Sequence, residues 1–276
     1  MAQTNPSLSV LFEQAYQEYH SLAHRKQDPI HLVYSYQDPL DQELVAFLAA
    51  ILAYGNVSTI LASVKKVLLP LGKNPRSFLR NADLTGGWRG FYHRFTTGED
   101  IEIVLTRLQS VFRRHPSIED FFLAEKNQTS MKDLLGSFVS RLESEPLPDH
   151  LRKISKKRER NLKYLISHPG RGSACKRLNL FLRWVVRPKD GIDLGLWKRV
   201  SPSQLILPVD THLLQVLRKL KWTRSEQATW NVAESATSRL RCFNPEDPIK
   251  YDFALCHLSM SGGSLKLPKE SAVVHA

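Results

Sequence analysis

Apolar residues recur at helical spacing along most of this chain, and this periodicity limits the folds open to it. Residues 57–69 show the pattern clearly, because Val57, Ile60, Val64 and Leu68 share one stripe of a helix with 3.6 residues per turn. Similar patterns predict further helices over Asp41–Tyr54, Asp100–Arg114, Met131–Glu143 and Ala174–Val186. No segment alternates apolar and polar residues over more than a few positions, so a sheet is not expected. The sequence therefore predicts an all-α fold.

Several classes of protein are disfavoured by simple counts. The longest apolar run, Leu44–Tyr54, has eleven residues, too few to span a bilayer. The first ten residues lack the basic start and apolar stretch of a secretory signal. Three scattered cysteines favour neither a disulfide framework nor a metal cage, and an iron–sulfur cluster needs a fourth. We expect a cytoplasmic, nucleoid-associated monomer without cofactor or metal.

The positive charge is confined to one part of the chain. Residues 151–200 hold 15 Lys and Arg against three acids, a net charge of +12, whereas the other residues hold 24 bases and 24 acids. A basic block of this kind suits a polyanion, because each neutralised phosphate releases condensed counterions. A solvated basic face is the alternative. A membrane surface is disfavoured, because no obvious amphipathic anchor accompanies the block.

A glycine-bearing turn at 168–173 separates a short predicted helix, 160–166, from a strong one, 174–186. Backbone N–H groups at the start of a helix can hold an anion, although glycine in a helical hairpin can also serve turn geometry alone. The second helix adds a mostly basic stripe. Together these features give candidate phosphate ligands: Gly170, Arg171, Gly172, Ser173, Arg177, Arg183 and Arg187. We expect binding to DNA to weaken with salt, and alanine at Arg183 and Arg187 to flatten that dependence.

Asp210 stands in the sequence Pro-Val-Asp-Thr-His, directly before an apolar helical pattern that begins at Leu213. Asp is a preferred N-cap residue, and a cap needs no chemistry. A carboxylate at that position also stays ionised beside the positive end of the helix dipole. Capping and a chemical role are therefore compatible.

These motifs resemble the helix-hairpin-helix DNA glycosylases, which include endonuclease III and the 8-oxoguanine glycosylases. The likeness rests on the Pro-Val-Asp-Thr-His motif and on Lys176-Arg-Leu-Asn179 after the glycine turn. The turn is two residues longer than the family's Pro-Gly-x-Gly-x-Lys, and the spacing from Lys176 to Asp210 is similar to that of the archaeal 8-oxoguanine branch. The chain looks still closer, over Asp28–Met260, to a bacterial family of uncharacterised conserved proteins with the signatures SACKRLNLFLRWVVRPKDGIDLGLW, LILPVDTHL and DPIKYDFAL.

The resemblance implies roles for particular residues. Lys176 is the nucleophile that forms a Schiff base, and Asp210 stabilises the cationic sugar. Asn56 fills the space left in the duplex by the extruded base, and the final helix lines the base pocket through Tyr251, Asp252 and Phe253. Each residue also has a plainer interpretation: a phosphate contact for Lys176, a turn for Asn56, and an ordinary capped helix for residues 251–253.

The implied architecture is two helical lobes with a cleft between them. One lobe comprises residues 40–187 and the other comprises residues 1–39 with 188–276. The implied function is DNA repair by base excision, with or without abasic-site lyase activity, on a damaged purine such as 8-oxoguanine in duplex DNA. A helix-hairpin-helix nucleic-acid-binding protein without chemistry is the alternative, and a scaffold that serves only for protein interaction is a third.

Overall fold

A computed structural model describes residues 6–125, 128 and 130–260. Its helices are α1 Pro6–Tyr19, α2 Leu22–Arg25, α3 Pro39–Ile51, α4 Val57–Leu68, α5 Pro75–Asn81, α6 Gly98–Arg114, α7 Ile118–Phe122, α8 Met131–Ser144, α9 Asp149–Arg152, α10 Lys156–Leu165, α11 Lys176–Val186, α12 Thr211–Lys219, α13 Trp230–Leu240 and α14 Asp252–Met260. Short 3-10 helices lie at Pro29–Ser35, Leu69–Leu71, Pro169–Arg171 and Pro202–Gln204. The predicted all-α class is confirmed.

One small antiparallel hairpin departs from the all-helical expectation. Its strands, β1 Tyr92–His93 and β2 Thr96–Thr97, pair Tyr92 with Thr97 and His93 with Thr96. Each strand is too short to show an alternating pattern, which is why the sequence does not reveal it. The hairpin packs on α4 and α6.

Helix α3 is the centre of the molecule. The Asp38 carboxylate caps it by accepting from the amides of Leu40 and Asp41, and Pro39 occupies the first turn. Residues 44–52 are all fully buried. A helix that is apolar on every side must be surrounded, and α3 is covered by α11, α5, α4 and the Pro29–Ser35 segment.

Glu43 links this central helix to two distant segments. Its carboxylate accepts hydrogen bonds from the amides of Ile118 and Glu119 at 2.8 and 3.0 Å and from Trp197 Nε1 at 2.6 Å. Burial raises the pKa of Glu43 to about 7, although these hydrogen bonds oppose the shift. The carboxylate therefore caps α7 from inside the core and holds the loop after α11 against α3.

Helix α10, the glycine-bearing connection and α11 follow one another in the predicted order, with α11 beginning two residues later than predicted. Ser155 caps α10 by accepting from the amide of Arg158. Two residues in the connection have left-handed backbone, Gly172 at a φ of 81° and Cys175 at 48°. This conformation suits glycine and strains cysteine. It allows the chain to reverse before α11 and places Lys176 at the start of that helix.

Two arginines of α11 are buried rather than exposed, which corrects the predicted basic stripe. Arg183 is 2% exposed and Arg187 is 3% exposed. Their guanidinium groups face four carboxylates from later segments of the chain: Asp190, Asp193, Asp247 and Asp252. The prediction that Arg183 and Arg187 form an exposed phosphate-binding stripe is wrong, because both guanidinium groups are buried and paired with these carboxylates.

The terminal helices pack together. Helix α14 contacts both α1 and α12, whereas α11 packs against α3. The division into lobes 40–187 and 1–39 with 188–276 stays a prediction, and residues 1–5 and 261–276 of the second lobe lie outside the described residues. Within the part of the chain that the structure describes, no helix is both long and apolar enough to cross a membrane.

We predict that Arg187→Ala lowers the free energy of unfolding by about 3–5 kcal/mol. The reason is that Asp193, which is fully buried, would lose one of its two cationic partners and Asp247 would lose its own. Urea denaturation measures the change. Arg171→Ala is the control, because the Arg171–Glu143 pair lies at the surface and should contribute no more than about 1 kcal/mol. Equal losses in the two variants would contradict the proposed importance of the buried network.

Candidate active-site cleft

A cleft of about 460 Å³ opens where the first turns of α11 and α12 face α14. The turn at residues 27–29 and the segment after α3 also contribute to its wall, as do four residues between the end of α10 and the start of α11: Tyr164, Ser167, Ser173 and Ala174. The volume is within the usual range for a small-molecule site. Both predicted catalytic residues, Lys176 and Asp210, lie on its wall.

Lys176 and Asp210 approach each other within the cleft. The ammonium nitrogen of Lys176 lies 3.9 Å from Asp210 Oδ2, and it donates a hydrogen bond of 3.2 Å to the carbonyl oxygen of Ala53. The side chains are 29% and 22% exposed, so both can contact a ligand. Residues separated by 34 positions in sequence thus present an amine and a carboxylate to one space.

Asp210 caps a helix and faces the cleft at the same time. Its Oδ1 accepts a hydrogen bond of 2.9 Å from the amide of Leu213, the third residue of α12. Its Oδ2 points toward Lys176 and lies 3.9 Å from the Cys256 thiol. Burial and the Asp210 charge raise the pKa of Cys256 well above its usual value. The thiol therefore stays protonated and presents a weak donor to the carboxylate.

Two further carboxyl groups line the cleft, and only one of them was predicted. Burial raises the pKa of Asp252 to about 6, although the adjacent Arg183 opposes the shift. Burial likewise raises the pKa of Asp28, whose Oδ1 accepts from the amide of Ile30 at 2.9 Å. In the sequence Asp28 precedes Pro29 and has the pattern of a helix cap, so nothing there distinguishes it from a structural residue.

Helix α14 presents one face to the cleft, which includes Asp252, Phe253, Cys256 and His257. Phe253 and His257 have ring centroids 4.3 Å apart and form an aromatic wall. Burial lowers the pKa of His257 to about 4, so its imidazole is neutral near pH 7. Sequence analysis does not single out His257, because an isolated histidine on a helix has no motif.

Tyr251 lies outside this wall, which corrects its predicted place in the base pocket. It precedes α14 and turns toward α1, where its ring lies 5.4 Å from that of Phe12 and its hydroxyl donates to the carboxylate of Glu13. These contacts hold the Tyr251 side chain against α1, so it does not line the cleft. Of the three predicted pocket residues, Asp252 and Phe253 line the cleft.

The glycine turn lies beside the cleft, and Ser173 is part of the cleft wall. The amides of Gly170, Arg171 and Gly172 donate to His168 Nδ1, the His168 carbonyl and the Pro169 carbonyl. Arg171 also forms an exposed two-point ion pair with Glu143 at 2.9 and 2.7 Å. An anion would have to replace these partners, so the phosphate contacts of the turn stay a prediction.

Arg177 is a structural cation in the wall rather than an exposed phosphate ligand. It is 7% exposed, donates to the carbonyl oxygens of Ile51 and Tyr164, and has its guanidinium 4.9 and 4.3 Å from the ring centroids of Tyr54 and Tyr164. The prediction that Arg177 binds DNA is therefore wrong for the structure described. The ring of Tyr164 lies at the surface beside the cleft, 48% exposed.

Asn56 lies at the entrance to the cleft. It is exposed and caps α4 by accepting from the amide of Ser58 at 3.0 Å, while its neighbours Gly55 and Val57 line the cleft. This position is compatible with insertion into a duplex, which stays a prediction.

Within the described residues, no group of three or more His, Cys, Asp or Glu side chains is arranged to hold a metal ion. The side chains that line the cleft include an amine, carboxyl groups, a thiol, a neutral imidazole and two buried guanidinium groups.

A family model described as a protein of unknown function, DUF2400, matches residues 28–261. The match includes every residue that lines the cleft except Gln27. The comparisons with curated proteins and with solved structures find no match.

Proposed function

The chain belongs to the DUF2400 family of proteins of unknown function, and from its cleft we propose that it is a DNA base-excision glycosylase with abasic-site lyase activity. Its substrate is duplex DNA with a damaged purine such as 8-oxoguanine. The observation that carries the proposal is the separation of 3.9 Å between Lys176 Nζ and Asp210 Oδ2 on the wall of one cleft. The resemblance to helix-hairpin-helix glycosylases supports it.

Asp210 stabilises the positive charge that develops on the sugar as the glycosidic bond breaks. Its cap hydrogen bond fixes one oxygen, so the other is held in place before the reaction begins. A preorganised charge of this kind needs little reorganisation in the transition state.

Lys176 supplies the nucleophile. After the Lys176 ammonium loses one proton to solvent, the neutral amine attacks C1′ as the bond from C1′ to the base nitrogen breaks, and the electron pair of that bond leaves with the base. The departing base takes up the proton that the attacking amine then loses. Opening of the sugar ring gives a Schiff base between Lys176 and C1′, and loss of a C2′ proton expels the 3′ phosphate by breaking C3′–O.

The size and lining of the cleft fit an extruded nucleotide. Extrusion costs a few kcal/mol, which stacking on aromatic walls offsets in part. Phe253 and His257 form such a wall. Asn56 at the entrance is suited to occupy the space that the base leaves in the duplex.

Helix α10 is suited to contact the DNA backbone in place of the buried arginines. Lys156, Lys157 and Arg160 are exposed on it, and it ends beside Tyr164 at the cleft. Basic side chains on one helix next to a nucleotide site are typical of backbone positioning. We place the protein in the cytoplasm, in association with the nucleoid.

We predict that Lys176→Gln abolishes borohydride trapping on an abasic duplex, because the amine that forms the Schiff base is gone. Asp210→Asn should slow base release from an 8-oxoguanine duplex roughly 100- to 1,000-fold. Single-turnover assays measure both effects. Thermal melts provide the control, because Asn retains the capping oxygen whereas Asp210→Ala should lose about 1 kcal/mol.

Two outcomes would contradict this assignment. Unchanged base release by Asp210→Asn would show that the carboxylate only caps α12. DNA binding by the wild type without trapping or base release would favour the alternative, a helix-hairpin-helix binding protein without chemistry.

We predict that Lys156→Gln with Lys157→Gln flattens the salt dependence of binding to duplex DNA. Each neutralised phosphate contributes about 0.9 to the slope of log K against log salt, so loss of two contacts should lower it by about 1.8. Fluorescence anisotropy at several salt concentrations measures the slope. Lys65→Gln with Lys66→Gln is the matched control, because it removes two exposed charges from the far end of α4. The same slope change in both variants would contradict a docking role for α10.

A further inference from the structure

The guanidinium of Arg183 has one donor without a partner in the part of the chain that the structure describes. Its Nε donates to Asp193 at 3.2 Å and its Nη1 donates to Asp252, whereas its Nη2 is buried and has no hydrogen-bond partner among the described residues. Buried donors are nearly always paired, so an unpaired one calls for an explanation. Arg183 is also part of the cleft wall.

We infer that Arg183 is the specificity-determining residue of the cleft and donates from Nη2 to a carbonyl oxygen of the extruded base. This inference rests on the proposed glycosylase function. The ligand class is a neutral, keto-bearing nucleobase, such as 8-oxoguanine, hypoxanthine or uracil.

The position of Arg183 makes it a precise donor. It is 2% exposed, and two carboxylates hold two edges of the planar group. The guanidinium carbon lies 5.4 Å from the centroid of the Phe253 ring, which is part of the aromatic wall. A base stacked beside Phe253 would therefore have its edge close to the guanidinium.

The guanidinium remains charged throughout. Burial alone would lower the pKa of Arg183, but Asp193, Asp252 and Asp28 outweigh burial and raise it. A permanent cation favours a carbonyl oxygen and disfavours a base that is itself cationic, such as a ring-alkylated purine.

Asp28 supplies a complementary group. It lies on the same wall, and its charge interacts with that of Arg183. A carboxylate accepts from N–H groups, and keto bases place a ring N–H next to the carbonyl oxygen. Arg183 is suited to donate to the carbonyl oxygen of such a base, and Asp28 is suited to accept from its ring N–H.

The test compares base release with chemistry at a site that has no base. Arg183→Lys retains the charge but removes the fork of donors. We expect single-turnover base release from 8-oxoguanine, hypoxanthine or uracil duplexes, whichever the wild type excises, to fall about 10- to 100-fold. Borohydride trapping on a preformed abasic duplex should fall at least about 10-fold less than base release, because trapping has no base to recognise and registers only a loosening of the ion-pair network.

Arg187→Lys is the matched control. Arg187 shares Asp193 with Arg183 but does not line the cleft. Arg187→Lys should therefore lower base release and trapping by the same factor. Equal losses of base release and trapping in Arg183→Lys would show a structural role only and overturn the inference. Unchanged base release would also overturn it.

The proposed function can fail separately. If wild-type protein traps abasic DNA but excises none of the three keto bases, the proposed recognition of a base by Arg183 is wrong and the proposed lyase activity stands. Wild-type protein that neither traps abasic DNA nor releases a base would overturn both proposals.

Discussion

The ion-pair network around Arg183 and Arg187 holds α11 against α14 and against the loops that flank these helices. Both arginines belong to α11, the helix that begins with Lys176, and their carboxylate partners come from the loop after α11, from the loop before α14 and from the first residue of α14: Asp190, Asp193, Asp247 and Asp252. Removal of one member of a buried pair leaves a charge without compensation, so the network holds together only as a unit. It thereby fixes α11 against α14, and the cleft is the space between their exposed faces and α12.

Helix termini do most of the remaining positioning. The chain reverses through left-handed residues before α11, which brings Lys176 to the first turn of one helix. Asp210 caps another helix, and the cap leaves one carboxylate oxygen directed into the cleft. Under the proposed function, Asp210 thus both stabilises the fold and takes part in the reaction. The effects of a substitution at Asp210 on folding and on reaction rate must be measured separately, because they arise from different atoms of one side chain.

Much of this arrangement is encoded in local patterns. Helical periodicity predicts the helices, and the motif around Asp210 predicts a cap at the helix start, because both depend on neighbours a few residues away.

The burial of Arg183 and Arg187 could not be predicted from such local patterns. Their charges suggested a surface for DNA, but their partners lie up to 69 positions away in sequence and only the tertiary fold brings them close. Asp28 and His257 were missed for the same reason, since their importance comes from the cleft and not from a motif. Tyr251 was misplaced because the sequence does not show which residue begins the last helix.

We propose that Lys176 forms a covalent bond to the sugar in the cleft. Borohydride reduction of wild-type protein on an abasic duplex, followed by nuclease and protease digestion and mass spectrometry, locates the bond directly. We predict one modified peptide, with the sugar remnant on Lys176 and none on the exposed Lys156, Lys157 or Lys163 of the neighbouring helix. A remnant on another lysine, or no covalent product at all, would contradict it.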